Sequence, residues 1–230
     1  MAQTFDYDVL IVGSGFGGSV SALRLAQKGW KVGVLEMGRR LSKTDFEAAA
    51  VSNRALTWMP ALGMTGFFAQ EVFRHVAILR GIGVGGGSNV YGAVLLEPKE
   101  AFYRDPAWVK LNPDWRAELA PHYSTARRML GISDNPYRGI QDQWLEQAAQ
   151  QMGVADSFGS VPQGIFFGSP EWKTPDPYFN GKGPDRQGCT QCGRCFTGCA
   201  YGAKNSLDKN YLYFAEQAGV EVMPERKVTH

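Results

Sequence analysis

The sequence predicts an α/β fold whose first unit is a strand, a helix and a second strand. Residues 8–12 form a mostly apolar run, typical of a strand that is buried on both faces of a parallel sheet. Residues 19–28 carry apolar side chains at helical spacing, and Gly29 ends this helix. Residues 31–36 return to a strand pattern. Together these segments predict a βαβ unit at the start of the chain.

A glycine-rich turn joins the first strand to the helix and gives the unit a function. It reads Gly13-Ser14-Gly15-Phe16-Gly17-Gly18 and matches GxGxxG, the phosphate-binding turn of Rossmann-type dinucleotide sites. In that motif the first glycine permits the tight turn, the second lets backbone approach a pyrophosphate, and the third lets helix and strand pack closely. Glu36 closes the second strand, where a carboxylate binds ribose hydroxyls and disfavours the 2′-phosphate of NADP. The sequence therefore predicts an adenine-dinucleotide site here.

A second glycine-rich segment, residues 81–92, contains six glycines in twelve residues. Ordering so many glycines costs backbone entropy, which favours a specific role for them. Val84, Val90 and the apolar residues 93–96 suit a buried segment pressed against a flat group such as an isoalloxazine ring. A flexible linker is the alternative interpretation.

The chain is predicted to divide between a Rossmann-type core and a long insertion of helical and irregular structure. The core is assigned to residues 1–40, 80–98 and 204–230. The insertion is assigned to residues 41–79 and 99–203 and includes a four-cysteine loop at 189–199. Because only two or three parallel strands can be counted, the sequence is expected to be truncated before a substrate domain.

Helical patterns recur outside the first unit. The segments concerned are residues 45–54, 115–130, 140–152 and 207–218. The apolar segment 55–79 is predicted to form a buried helix pair. It is interrupted by Pro60 and by charged residues, so no transmembrane segment is expected. Residues 157–188 are predicted to be irregular, and a strand is expected to begin at Val220.

Charge and composition exclude some classes of function. The 24 basic and 22 acidic side chains give a net charge of +2 and form no basic arm, so nucleic acid is not an expected partner. Residues 1–7 lack a basic n-region and include Asp6, which argues against a signal peptide and for a cytoplasmic protein. None of His75, His122 and His230 lies in a metal-binding or catalytic pattern.

Several motifs together resemble one enzyme family. They are GSGFGG at 13–18, LEMGRR at 35–40, GVGGGS at 83–88 and CAYGAKNSLDKNYL at 199–212. On these motifs the chain is identified as a member of the glucose-methanol-choline (GMC) oxidoreductases, most similar to the N-terminal portion of their cholesterol-oxidase-like branch. The resemblance implies noncovalent FAD. It places Gly13, Gly15, Phe16, Gly17 and Glu36 at the ADP half, Gly86, Gly87 and Gly92 near the flavin, and Val228 at the adenine.

The resemblance also implies a reaction. Such an enzyme would oxidise an alcohol, for example a sterol-like 3β-hydroxysteroid such as cholesterol, to a ketone by hydride transfer to FAD. Oxygen or another electron acceptor would then reoxidise the flavin. The catalytic base of the family lies in the C-terminal portion, so no catalytic residue is expected in this chain, and the fragment could be inactive on its own.

Cys189, Cys192, Cys195 and Cys199 are the only cysteines in the sequence. Their C-x2-C-x2-C-x3-C spacing is that of ferredoxin iron–sulfur runs, with Ala200 in place of the usual proline. In such runs the fourth cysteine serves another cluster, and the chain has no further cysteine to complete the first. An iron–sulfur cluster, free thiols, zinc and disulfides therefore stay open interpretations. A cluster would make the protein a dehydrogenase or electron-transfer module that passes electrons to an external acceptor.

Overall fold

A computed structural model describes residues 5–229. Its strands are β1 (Val9–Val12), β2 (Val32–Leu35), β3 (Trp58–Met59), β4 (Met64–Thr65), β5 (Phe68–Val72), β6 (Ala77–Gly81), β7 (Ser133–Asp134), β8 (Pro162–Gln163), β9 (Lys173–Thr174), β10 (Arg186–Gln187) and β11 (Glu221–Met223). Its α-helices are α1 (Phe16–Gln27), α2 (Lys43–Ala49), α3 (Asn53–Leu56), α4 (Glu100–Tyr103), α5 (Trp115–Met129), α6 (Ile140–Gln151) and α7 (Tyr211–Gln217).

The predicted α/β, Rossmann-type fold is confirmed by a parallel three-stranded sheet in the order β1-β2-β11. The central strand β2 is buried, as its apolar sequence requires, with Val32 1% and Val34 0% exposed. Helices α1 and α7 pack on this strand and on each other through a shared apolar core. Leu23 of α1 and Leu212 of α7 belong to that core. The core therefore fixes where the carboxyl ends of β1 and β2 lie.

The predicted buried helix pair at residues 55–79 is wrong. The segment forms two antiparallel hairpins, β3 with β4 and β5 with β6. Gly63, with φ of +66°, makes the first turn, a conformation that a helix cannot contain. Phe67 is fully buried against Phe46 of α2, whereas Phe73 at the tip of the second hairpin is 54% exposed. The apolar residues of this segment are therefore divided between a local packing contact at Phe67 and an exposed hairpin tip at Phe73.

The predicted helices at residues 115–130 and 140–152 are confirmed as α5 and α6. The other two differ from the structure at breaks that side-chain capping explains. The segment 45–54 is divided into α2 and α3 because the Ser52 hydroxyl accepts a hydrogen bond from the Ala55 amide and begins a new helix. The segment 207–218 begins as a 3₁₀ turn, and α7 starts only after Asn210, whose side chain caps the Tyr211 amide. Within residues 5–229, no helix has the length and hydropathy needed to span a lipid bilayer.

Ser42 forms a capping box at the start of α2. Its hydroxyl accepts from the Asp45 amide, and the Asp45 carboxylate accepts from the Ser42 amide. We expect Ser42→Ala to lower the free energy of unfolding by about 1 kcal/mol, because one amide of the first turn loses its acceptor. Ser42→Thr keeps the acceptor and should lose less. Urea unfolding of both variants measures the difference, and equal losses would contradict a capping role.

Candidate functional site

In the turn between β1 and α1, Gly13, Gly15 and Gly18 have different steric roles. Gly13 has φ of +88°, a backbone conformation that residues with a side chain rarely adopt. A Cβ on Gly18 would lie 1.9 Å from the carbonyl oxygen of Gly13, so only glycine allows the helix to start this close to the strand. A Cβ on Gly15, the N-cap of α1, would meet nothing within 4 Å. The amide end of α1 is therefore open and carries no side-chain cap, as an anion site requires.

Glu36 is a buried carboxylate, 5% exposed, at the carboxyl end of β2. Its Oε2 accepts from the amide and the hydroxyl of Ser14, at 3.1 and 2.7 Å. Its Oε1 accepts from the amides of Gly38 and Gly83, at 2.9 and 3.3 Å. A carboxylate has about four acceptor sites, so all of them are occupied by the protein. Glu36 thus links the first glycine turn to the second glycine segment.

The second glycine segment is buried and anchored, so its interpretation as a flexible linker is wrong. The Gly85 amide donates to the Ser14 hydroxyl at 3.0 Å. Within the segment, Asn89 Nδ2 donates to the carbonyls of Val84 and Gly86, at 2.9 and 3.2 Å. A Cβ on Gly86 would lie 3.0 Å from the Cα of Gly15. The two glycine-rich backbones therefore meet directly.

A cavity of about 480 Å³ lies where the two glycine segments meet. The sequence-predicted residues that line it are Gly13, Gly15, Glu36, Gly86, Gly87 and Val228. Val228 reaches it because the Arg226 amide donates to the Glu36 carbonyl at 2.8 Å, which holds the segment around Arg226 beside the end of β2. The predicted residues outside the lining are Ser14, Phe16, Gly17, Gly18 and Gly92. Ser14 and Gly18 instead hold the turn in shape.

The segment beyond the cavity faces the cysteine loop. A Cβ on Gly92 would lie 3.1 Å from the Phe196 ring, so this glycine permits the loop to approach. Tyr91 packs edge-on against Phe16, with ring centroids 5.9 Å apart. Burial raises the pKa of the Tyr91 hydroxyl well above its ordinary value, so this group stays protonated. It donates to the carbonyl of Asn205 at 3.4 Å.

Comparison with known proteins agrees with this architecture. Residues 11–74 match the model of the NAD(P)-binding Rossmann-like domain family. A cholesterol oxidase of Mycobacterium tuberculosis is 50% identical over 224 residues, 95% of this chain. A cholesterol oxidase of Acinetobacter baumannii is 48% identical over 230 residues, 98% of this chain. An uncharacterized GMC-type oxidoreductase of Mycobacterium tuberculosis is 27% identical over 228 residues, 96% of this chain.

The chain is similar to the N-terminal portion of GMC oxidoreductases. The family assignment made from the motifs, in the cholesterol-oxidase-like branch and at its N-terminal portion, is therefore confirmed, together with the class of oxidoreductase. The chain spans 39% and 41% of the length of the two cholesterol oxidases and 32% of the length of the GMC-type relative.

Three basic residues that line the cavity were not predicted as site residues from the sequence. They are Arg80, Arg226 and Lys227. Arg80 directly precedes the second glycine segment, and the other two directly precede Val228. Basic residues beside a glycine-rich turn are a signal for a phosphate site, and these could have been found on that ground. Met37 and Ile82 also line the cavity and supply apolar surface.

The four cysteines are free thiols in one loop. All four line a small second cavity together with Lys204. Burial raises the pKa of the Cys189 and Cys195 thiols above the usual thiol value, and it lowers the pKa of Lys204 to about 8. Among residues 5–229, no group of three or more His, Cys, Asp or Glu side chains is placed so that it could hold a metal ion.

Proposed function

We propose that the protein binds FAD noncovalently in the cavity between the two glycine segments and uses it to oxidise an alcohol. The observation that carries this proposal is the joint lining of one cavity by Gly15, Glu36, Gly86, Gly87 and Val228. NAD and FAD share an adenosine diphosphate, so the first turn suits both. The second glycine segment supports FAD, because it continues the site beyond the first turn with a close-packed, rigid backbone.

The side chains present fit the parts of FAD. The open amide end of α1 at Gly15 suits the pyrophosphate, and Arg226 and Lys227 place positive charge around the same cavity. The guanidinium of Arg80 is paired with the Glu71 carboxylate. The carboxylate of Glu36 lines the same cavity, and a ribose hydroxyl would have to replace one of its four protein donors in order to bind it. When bound, FAD would accept the hydride of the alcohol carbon. The described residues would contribute binding and orientation, and the proposal assigns none of them as the base that takes the hydroxyl proton.

We propose a hydrophobic alcohol, a 3β-hydroxysteroid such as cholesterol, as the substrate, with oxygen as the electron acceptor. The support is the identity of 48–50% to proteins named cholesterol oxidases. The test is hydrogen peroxide production by the full-length protein, with cholesterol compared with a straight-chain primary alcohol. Turnover of cholesterol coupled to peroxide supports the proposal. Turnover of the primary alcohol alone contradicts the substrate, and turnover that requires an added dye contradicts the acceptor.

Gly15→Leu tests where the dinucleotide binds. The new side chain would project into the cavity, and its Cβ meets no protein atom within 4 Å, so the fold should persist. We expect FAD affinity to fall by about 5- to 150-fold, the equivalent of about 1–3 kcal/mol of steric overpacking. Fluorescence titration of FAD measures the effect.

Gly17→Leu is the matched control for this test. A Cβ on Gly17 also meets nothing within 4 Å, but Gly17 does not line the cavity. This variant should bind FAD with close to the original affinity. Unchanged FAD binding by a folded Gly15→Leu variant would place the cofactor elsewhere.

A further inference from the structure

The cysteine loop encloses one common cavity with all four of its thiols. Cys189, Cys192, Cys195 and Cys199 each line it. Its other lining residues include the apolar side chains of Ile165 and Ala203, both buried. The fourth cysteine therefore faces the same centre as the first three, and it is not directed to a second site. This removes the difficulty that the sequence spacing raised.

The loop around this cavity contains three residues with positive φ, a backbone conformation that favours glycine. Gly193 and Gly198 have φ of +69° and +90°, and Gln191 adopts φ of +57°. The Gln191 amide donates to the Cys189 sulfur at 3.4 Å. Amide hydrogen bonds to cysteine sulfur are among the interactions that tune iron–sulfur clusters. Gln191 thus adopts a backbone conformation that is unfavourable for a residue other than glycine, and its amide contacts the Cys189 sulfur.

Two basic residues, Lys204 and Arg194, also line the cavity. Lys204 is 2% exposed, and its Nζ donates to the carbonyls of Asn89, Tyr91 and Cys195, at 2.8, 3.2 and 2.7 Å. These three partners are neutral, so the described contacts leave the charge of the buried ammonium without a bonded carboxylate. A group with net negative charge in the cavity would balance it, and a cluster held by four thiolates carries such a charge.

We propose that this cavity is the site of a cysteine-ligated iron–sulfur cluster, with the sulfurs of Cys189, Cys192, Cys195 and Cys199 as its ligands. A single zinc ion needs all its sulfur ligands about 2.3 Å from one point, and no described group meets the requirement for one ion. A cluster places its own iron and sulfide between the ligands, so the cysteine sulfurs stand farther apart around a cavity. The proposal does not depend on FAD binding.

The test is anaerobic reconstitution of the full-length protein with ferrous iron and sulfide. We expect about four iron and four sulfide atoms per chain, as in a [4Fe–4S] cluster, and an electron paramagnetic resonance signal after reduction with dithionite. Cys192→Ala, which changes an exposed side chain and leaves no oxygen that could replace the thiolate, should lower the iron content by about tenfold or more. Thr197→Ser, in the same loop but outside the cavity lining, should leave the iron content unchanged.

Circular dichroism and FAD content, measured on the same samples, show whether each variant is folded. Background iron and sulfide in folded, reconstituted protein would overturn the proposal. So would equal iron in Cys192→Ala, or one zinc ion per chain without sulfide. Normal iron and sulfide without bound FAD would support the cluster and contradict the proposed FAD function alone.

Discussion

Replacement of Glu36 with glutamine is expected to weaken FAD binding by about 30-fold to 10⁴-fold. The carboxylate accepts hydrogen bonds from four donors contributed by Ser14, Gly38 and Gly83. A glutamine keeps one acceptor oxygen and turns an NH₂ group toward two of these donors. Leaving about two buried donors unpaired costs about 1–3 kcal/mol each, so without FAD the two glycine segments relax away from each other. FAD binding must restore their arrangement and therefore bears this cost.

FAD titration of Glu36→Gln, together with its urea unfolding, measures the effect. The control is Glu216→Gln, which removes a carboxylate from an ion pair with Arg40 at the surface. That variant should change stability by less than about 1 kcal/mol and leave FAD affinity unchanged. If Glu36→Gln bound FAD as tightly as the original protein, the link between the two glycine segments would have no role in the cofactor site.

The sequence predicted well those parts of the fold that depend on contacts between residues close together in the chain. Strand β2 contains no polar side chain because both of its faces are buried, and the apolar run ends at Glu36. The three roles assigned to Gly13, Gly15 and Gly18 depend on a strand–turn–helix that is contiguous in sequence. The positions of these glycines in the structure fit those roles, whereas their contacts with a dinucleotide stay a prediction.

Features that depend on distant segments could not be predicted. The place of Gly92 near the flavin stays a prediction, but its contact with Phe196, more than one hundred residues later in the chain, could not be read from the sequence. The convergence of the four cysteines depends on positive φ at Gly193 and Gly198, which spacing alone does not specify. The hairpins at residues 55–79 were missed because high apolar content outweighed the turn at Gly63. Each failure concerns a tertiary contact or a turn.

Substitution by alanine at two neighbouring glycines of α1 should change stability in opposite directions. In the interior of a helix, glycine is about 1 kcal/mol less favourable than alanine. At Gly17 a Cβ meets nothing within 4 Å, so Gly17→Ala should gain part of that energy. At Gly18 the Cβ would lie 1.9 Å from the Gly13 carbonyl oxygen and 3.2 Å from Ile11. Gly18→Ala must therefore push α1 away from β1.

We expect Gly18→Ala to lower the free energy of unfolding by about 3 kcal/mol or more, the upper range for overpacking, and to abolish FAD binding. The reason is that a displaced α1 no longer holds its amide end at the cavity that Gly15 and Gly86 line. Urea unfolding and FAD titration of the two variants check both effects. Equal stability of Gly17→Ala and Gly18→Ala would mean that helix and strand are not in close contact at this turn. FAD binding that survived a large loss of stability in Gly18→Ala would separate the packing role of Gly18 from the cofactor site.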